Sequence, residues 1–150
     1  MTPRARALLV VCGLAAAAAL PPVAAALRAG GPPHCALDGV LVDPLHRVVV
    51  DEADGARAAL CSISCATAWL AREGAAPSSI RVVDEATGDE LDVRAAWFVT
   101  SRVVAVAAAD DRTHVFASEA DARRHAQAYG GHVLVGDRRP FADLNGERTR

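Results

Sequence analysis

The chain has 150 residues, which leaves room for one compact domain and a targeting segment. Its formal net charge is -2, and its arginines are interspersed with Asp and Glu with no lysine anywhere, so there is no basic stripe of the kind that nucleic-acid binding requires. Apolar residues make up 52% of the sequence, but much of that is alanine in the first thirty positions, so the core has to be built from the later Val, Leu, Ile, Trp and Phe.

The chain begins as an export signal. Arg4 and Arg6 form a positive n-region, and the stretch from Ala7 to about Leu27 is uncharged and apolar. Residues 1–26 read as a signal peptide cleaved after Ala26. The alternative is an N-terminal anchor that is kept, since about 20 apolar residues suffice to span a bilayer, although Pro21-Pro22 would break the helix near its outer end. Cys12 does not fit a lipidation signal, because Val11 precedes it. The expected location is the periplasm or the outer face of the cytoplasmic membrane, with membrane contact only through this segment. Residues 27–33 carry Gly30-Gly31-Pro32-Pro33 and form a tether that supports neither helix nor sheet. Residues 34–144 are the folded domain, and 145–150 a disordered tail.

Within the domain, Val48–Val50 leads through Asp54-Gly55, a hairpin signal, into a returning strand Ala58–Cys61. Ser62 is a natural N-cap for a helix with Ala66, Trp69 and Leu70 on one face, ended by Gly74. Strands are expected at Ile80–Val83 and Trp97–Val99. The plan then repeats, with strand Arg102–Ala107, turn Asp110-Asp111, strand Thr113–Ala117, N-cap Ser118, a helix to about Tyr129, a stop at Gly130-Gly131 and a closing strand His132–Val135. A gapless overlay sets Cys61–Cys65 on Ala117–Asp121 and Glu73-Gly74 on Tyr129-Gly130. The expected fold is α+β: two tandem ββα-type units, with antiparallel strands and helices on one face.

Beyond the signal, Cys35, Cys61 and Cys65 remain, an odd number for an oxidising compartment, so at least one thiol has no partner within the chain. The overlay puts Ala117 and Asp121 where the first unit has Cys61 and Cys65, so folding such a unit does not demand thiols. Cys65 falls at N3, beside the positive end of a helix, which is expected to favour its thiolate. Cys61 ends a strand and Cys65 opens a helix, so both sulfurs can aim at one point. Cys35 lies in the turn-forming stretch His34-Cys35-Ala36-Leu37-Asp38-Gly39, where Cys35-x2-Asp38 imitates half of a zinc knuckle. Three thiolates around one point suit Cu(I), and Zn(II) fits if His34 or Asp38 completes a tetrahedron. Three alternatives stand beside metal binding. The cysteines can be core residues; Cys61 and Cys65 can form a disulfide in a structural or interaction domain; or Cys65 can serve a lyase-like or redox enzyme.

His34 to Val40, the hairpin and Cys61-Ser62-Ile63-Ser64-Cys65 together resemble the TRASH-type metal-binding pattern. Glu119–Ala122 through Tyr129-Gly130-Gly131-His132-Val133-Leu134 resembles the closing unit of the NosL family, accessory proteins for nitrous oxide reductase. The resemblance covers about residues 34 to 144. It implies tandem ββα-type units similar in fold to part of organomercurial lyase, and an envelope-located copper(I) carrier. The chain's expected role is therefore that of a Cu(I) chaperone or an accessory factor in metalloenzyme maturation, with a client metalloenzyme or metal transporter as partner. Where the family pattern continues Cys-Gly-Met, this chain has Asp38-Gly39-Val40. Metal ligation carries over to Cys35, Cys61 and Cys65, and to His34 and Asp38 as supporting donors. His114, His125 and His132 have no second ligand at ligand spacing and read as surface or partly satisfied histidines, and His46, nearer the cysteines in sequence, ranks above them as a ligand. No Ser/His/Asp set, phosphate loop or zincin motif is present.

Overall fold

The computed structural model describes residues 32–74 and 77–145. The expected signal or anchor, Cys12, the tether up to residue 31 and all but the first residue of the expected tail lie outside the described residues. Among the described residues no helix is long and apolar enough to cross a membrane.

The first repeat consists of β1 (Val48–Asp51), β2 (Arg57–Leu60), α1 (Ile63–Glu73), β3 (Ser79–Val83) and β4 (Glu90–Asp92). Its hairpin turns where the sequence predicts, with Gly55 at φ 90° and Asp54 Oδ1 accepting from Ala56 N–H at 2.9 Å. The four strands form an antiparallel sheet in the order β2-β1-β3-β4. Period-two alternation sends Val48, Val50, Ala58, Leu60, Ile80 and Val82 into the main core beside Ala66 and Trp69 of α1. The opposite face carries Asp51, Arg57, Arg81 and Glu90 in ion pairs of 2.6–3.1 Å, which add solubility more than stability.

The second repeat consists of β5 (Trp97–Thr100), β6 (Thr113–Phe116), α2 (Glu119–Tyr129) and β7 (His132–Leu134), in the order β6-β5-β7. This is the path of β2-β1-β3, with the helix again between the second and third strands. The fold is α+β with two antiparallel sheets, as expected, and each unit is completed by a strand after its helix. Helix caps also match. Ser62 and Ser118 each accept from the N3 amide, and Gly74 and Gly130 end their helices in the left-handed region at φ 64° and 63°.

The gapless overlay holds from β2 to Gly74 and fails upstream of it. The expected strand Arg102–Ala107 does not form: that segment is bends and a single bridge between Val106 and Asp111, and the strand pairing with β6 is β5. The competition is decided by burial. Phe98 faces the main core and Val99 faces α2, both 0% exposed, whereas Val103 and Val104 stay 39% and 38% exposed. Residues 101–112 are thus a long connection where the first repeat needs only residues 52–56. The short strand β4 carries no sequence signal, being a polar edge with Leu91 half-buried.

A polar seam joins the repeats. Glu85, just after β3, donates its N–H to Val115 O at 2.9 Å and accepts from Val115 N–H through Oε1 at 3.0 Å. His114, 3% exposed, lies between Glu85 Oε2 at 2.8 Å and Val103 O at 3.2 Å. Both ring nitrogens face acceptors, so the imidazolium satisfies the site and the neutral ring does not. Burial opposes the charge, but the Glu85 carboxylate outweighs it and holds the pKa above the ordinary histidine value. His125 of α2 stacks on His114 at 4.1 Å.

Two outcomes follow from these contacts. A Cβ on Gly131 would lie 2.3 Å from Thr100 O and 2.9 Å from Ser101 Cα, both backbone atoms, so Gly131→Ala should destabilise by about 1–3 kcal/mol, read as a lower denaturant midpoint at unchanged slope. His114 gains affinity for its proton on folding, so its contribution is full below the unfolded pKa of about 6.5 and is lost as pH rises through the higher folded value. His114→Gln should remove that fall in stability with rising pH, and an unchanged pH profile in denaturant titrations would count against the imidazolium.

Candidate metal centre

Cys35 is carried by a small knuckle closed by a bridge between His34 and Leu41. Within it Cys35 N–H donates to Val40 O at 2.7 Å and Gly39 N–H to Cys35 O at 2.8 Å, and Gly39 takes the turn at φ 75°. Asp38 folds back so that its Oδ1 accepts from Val40 N–H at 3.0 Å, an Asx turn that leaves Oδ2 free. The knuckle docks on the molecule through the free edge of β2, where Ala59 O accepts from Ala36 N–H at 2.9 Å. Val42, 2% exposed, anchors its exit in the core.

The other two cysteines come from the turn between β2 and α1. Strand β2 ends at Leu60, one residue earlier than expected, and Cys61 sits in the bend, 1% exposed. Ser62, itself buried, caps α1 by accepting from Cys65 N–H at 3.0 Å, which places Cys65 at N3. The preceding amide, Ser64 N–H, donates at 2.8 Å to Oδ2 of Asp111, a residue of the second repeat.

The result is a cluster in which one ligand atom each from Cys35, Asp38, Cys61 and Cys65 lies within 4.8 Å of all the others. Cys61 Sγ and Cys65 Sγ are 3.5 Å apart, and both thiols point at Asp38 Oδ2, at 3.8 and 3.4 Å. All three cysteines are free thiols and buried, while Asp38 is exposed. Sulfurs around a tetrahedral ion stand about 3.8 Å apart, given a metal–sulfur bond of about 2.3 Å, so the 3.5 Å between Cys61 and Cys65 is within a few tenths of an ångström of what a shared ion needs. The cluster is the only such group among the described residues. His34 is exposed and stands outside it. His46 lies in the turn Pro44–His46, 3.7 Å from Glu85 Oε1, and belongs to the seam.

Electrostatics correct the expectation for Cys65. Burial raises its pKa and outweighs the lowering by Ser62, so the metal-free residue is a thiol. Burial likewise pushes the Cys61 thiol up, reinforced by the neighbouring Cys65 and Cys35 thiols. The helix end contributes little to either, because its N2 and N3 amides are already bonded to Asp111 and Ser62. Asp38 moves the other way: the Val40 N–H, then the Cys35 thiol, hold its carboxyl below the usual value, so it is ionised. Protonated sulfurs at Cys61 and Cys65 and a carboxylate at Asp38 are therefore the resting state. Asp111 is the residue of this region that sequence reading missed. Its only local signal is a turn-forming Asp110-Asp111, and nothing in that pair names Ser64 as its partner.

No family model and no curated protein matches the chain. Among solved structures it is similar to the crystal structure of the copper chaperone NosL from Shewanella denitrificans, with a TM-score of 0.59 and 18% identity over 67% of this chain and 84% of that one. At that identity the likeness is one of fold: the chain has a NosL-like fold, and the cysteine cluster is borne on it.

Proposed function

We propose that the protein is an exported carrier of a soft metal ion, with Cu(I) as its cargo and Cys35, Cys61 and Cys65 as its thiolate ligands. The convergence of three sulfurs and a carboxylate within 4.8 Å carries this reading. Thiolate is the donor that soft d10 ions prefer, and sulfurs make up three of the four donors of the cluster. The likeness in fold to a copper chaperone supports it. Asp38 is the fourth donor and the solvent side of the site; its oxygen favours Zn(II) and is the observation behind the second reading, a zinc carrier. The thiol-enzyme reading is weaker, because a nucleophile needs an accessible thiolate and Cys65 is 6% exposed with a raised pKa. In this proposal residues 1–26 export or anchor the chain and residues 27–33 tether it. Residues 34–144 then load metal in the periplasm or at the outer face of the membrane and pass it to a client metalloenzyme or transporter.

Anaerobic titration of the reduced domain is the direct test, with Cu(I) and Zn(II) in competition. The expected result is one Cu(I) per chain, held in preference to Zn(II), and loss of binding in the Cys61→Ser, Cys65→Ser double variant. A double variant that keeps its metal ends the proposal, and preference for Zn(II) selects the second reading. Mass measurement of protein taken from the envelope, with and without reductant, separates both from a Cys61–Cys65 disulfide.

Loading should also release protons. The buried thiols are protonated at neutral pH and must ionise to bind, so apparent affinity should tighten as pH rises. Calorimetry in buffers of different ionisation enthalpy measures that release, and a release of zero contradicts the protonated resting state.

A further inference from the structure

We propose that Asp111, supplied by the second repeat, is a positioning residue for the cysteine cluster: it fixes the first turn of α1 and with it the place of Cys65. The inference rests on the metal-carrier reading for its consequence, though not for its geometry. Helix α2 supplies its own acids at the N-terminus, Glu119 and Asp121, and Asp121 N–H is capped by Ser118. Helix α1 has no acid in its first turn, because Cys65 occupies the position that Asp121 holds in the other repeat. Ser62 takes only the Cys65 amide of this helix end, which leaves the Ser64 N–H without an acceptor from its own helix and the positive end without an anion. The missing carboxylate comes instead from across the molecule, as Asp111 Oδ2 accepts from Ser64 N–H at 2.8 Å.

The rest of the connection 101–112 is built to hold that carboxylate still. Asp111 is 5% exposed, and its Oδ1 accepts from Thr113 N–H at 2.8 Å. Its carbonyl accepts from Ala105 N–H at 2.8 Å and from Val106 N–H at 3.2 Å, with Asp110 turned to φ 45° to close the loop. His114 fixes the other end of the connection through Val103 O. The additional chain length in the second hairpin thus ends on the one amide that precedes Cys65. Cys65 stands at N3 of α1 where α2 has Asp121, and a carboxylate reaches the first turn of α1 from the companion unit instead.

Three variants and a control test this. Asp111→Ala removes the acceptor, and Asp111→Ser keeps a local acceptor for Thr113 N–H but is too short to reach Ser64, so one of the two serves if the other does not fold. Asp111→Asn keeps an oxygen for Ser64 N–H and removes the charge. Val133→Ala, in the small core under α2, supplies a destabilised control remote from the cluster. The readouts are the dissociation constant for Cu(I), by competition with a chromogenic chelator, and the alkylation rate of Cys65 in metal-free protein. The Ala or Ser variant should weaken binding about tenfold and speed Cys65 alkylation about tenfold, the size of a lost N-terminal cap. Asn should restore both to within about threefold, and the control should leave both within about twofold. Unchanged alkylation in the Ala and Ser variants, equal losses in the control, or failure of Asn to rescue each overturns the proposal. If the unaltered protein binds no Cu(I), the carrier reading falls, and the alkylation arm still decides the role of Asp111.

Discussion

Everything in the site depends on the turn between β2 and α1. Leu60 ends a strand whose side chains belong to the core, Ser62 caps a helix whose Ala66 and Trp69 belong to the same core, and the residues between have no freedom left. Cys61 and Cys65 are therefore set by backbone geometry that exists for folding reasons, since the second repeat makes the same turn with Ala117 and Asp121 in their places. Cys65 stands where the second helix has an acid at N3, and both thiols are buried in the core, whereas Ala117 is exposed. Their presence in this pair of positions, with Cys35 brought to them by a knuckle on the free edge of β2, is what separates a binding site from a packing solution.

Burial and charge then set the site's behaviour. The Cys61 and Cys65 thiols are neutral, because ionising one of them without a cation places an uncompensated anion in the interior. In the proposed carrier a soft cation would remove that penalty and displace the protons, so loading would set metal against proton at these sulfurs. Asp38 stands apart from this competition. It is ionised and exposed, the first charge a cation meets, and its oxygen is the donor that a soft ion holds least firmly. A site with a buried soft floor and a hard, exposed rim can accept and give up an ion through one face, which is what carriage, as opposed to storage, requires.

Much of this was legible in the sequence because it is local. The Asp54-Gly55 turn, the serine caps, the closing glycines and the period-two valines each act over a few residues, and they put β1, β2, α1, β6, α2 and β7 within a residue or two of their observed bounds. The candidate ligands were legible by the same logic, as a strand end, a helix N3 and a knuckle. Failures occur where local rules compete. Arg102–Ala107 has as many valines as a strand needs, but Phe98 and Val99 bury both faces of β5, and the sheet takes the segment that buries more. A single sequence contains no measure of that contest.

The same limit hides the seam. His114, Glu85 and Asp111 are unremarkable by spacing, and their partners lie 29 and 47 residues away in the chain. Sequence reading took His114 for a satisfied histidine, and so it is, but what satisfies it binds one repeat to the other. The tie joins two ββαβ units that share one strand order. Two copies of one fold meet through non-identical surfaces, and the copy without thiols has a longer hairpin connection free to reach across. That reach ends on α1, at the amide of Ser64, so the unit without cysteines holds the turn that carries Cys65.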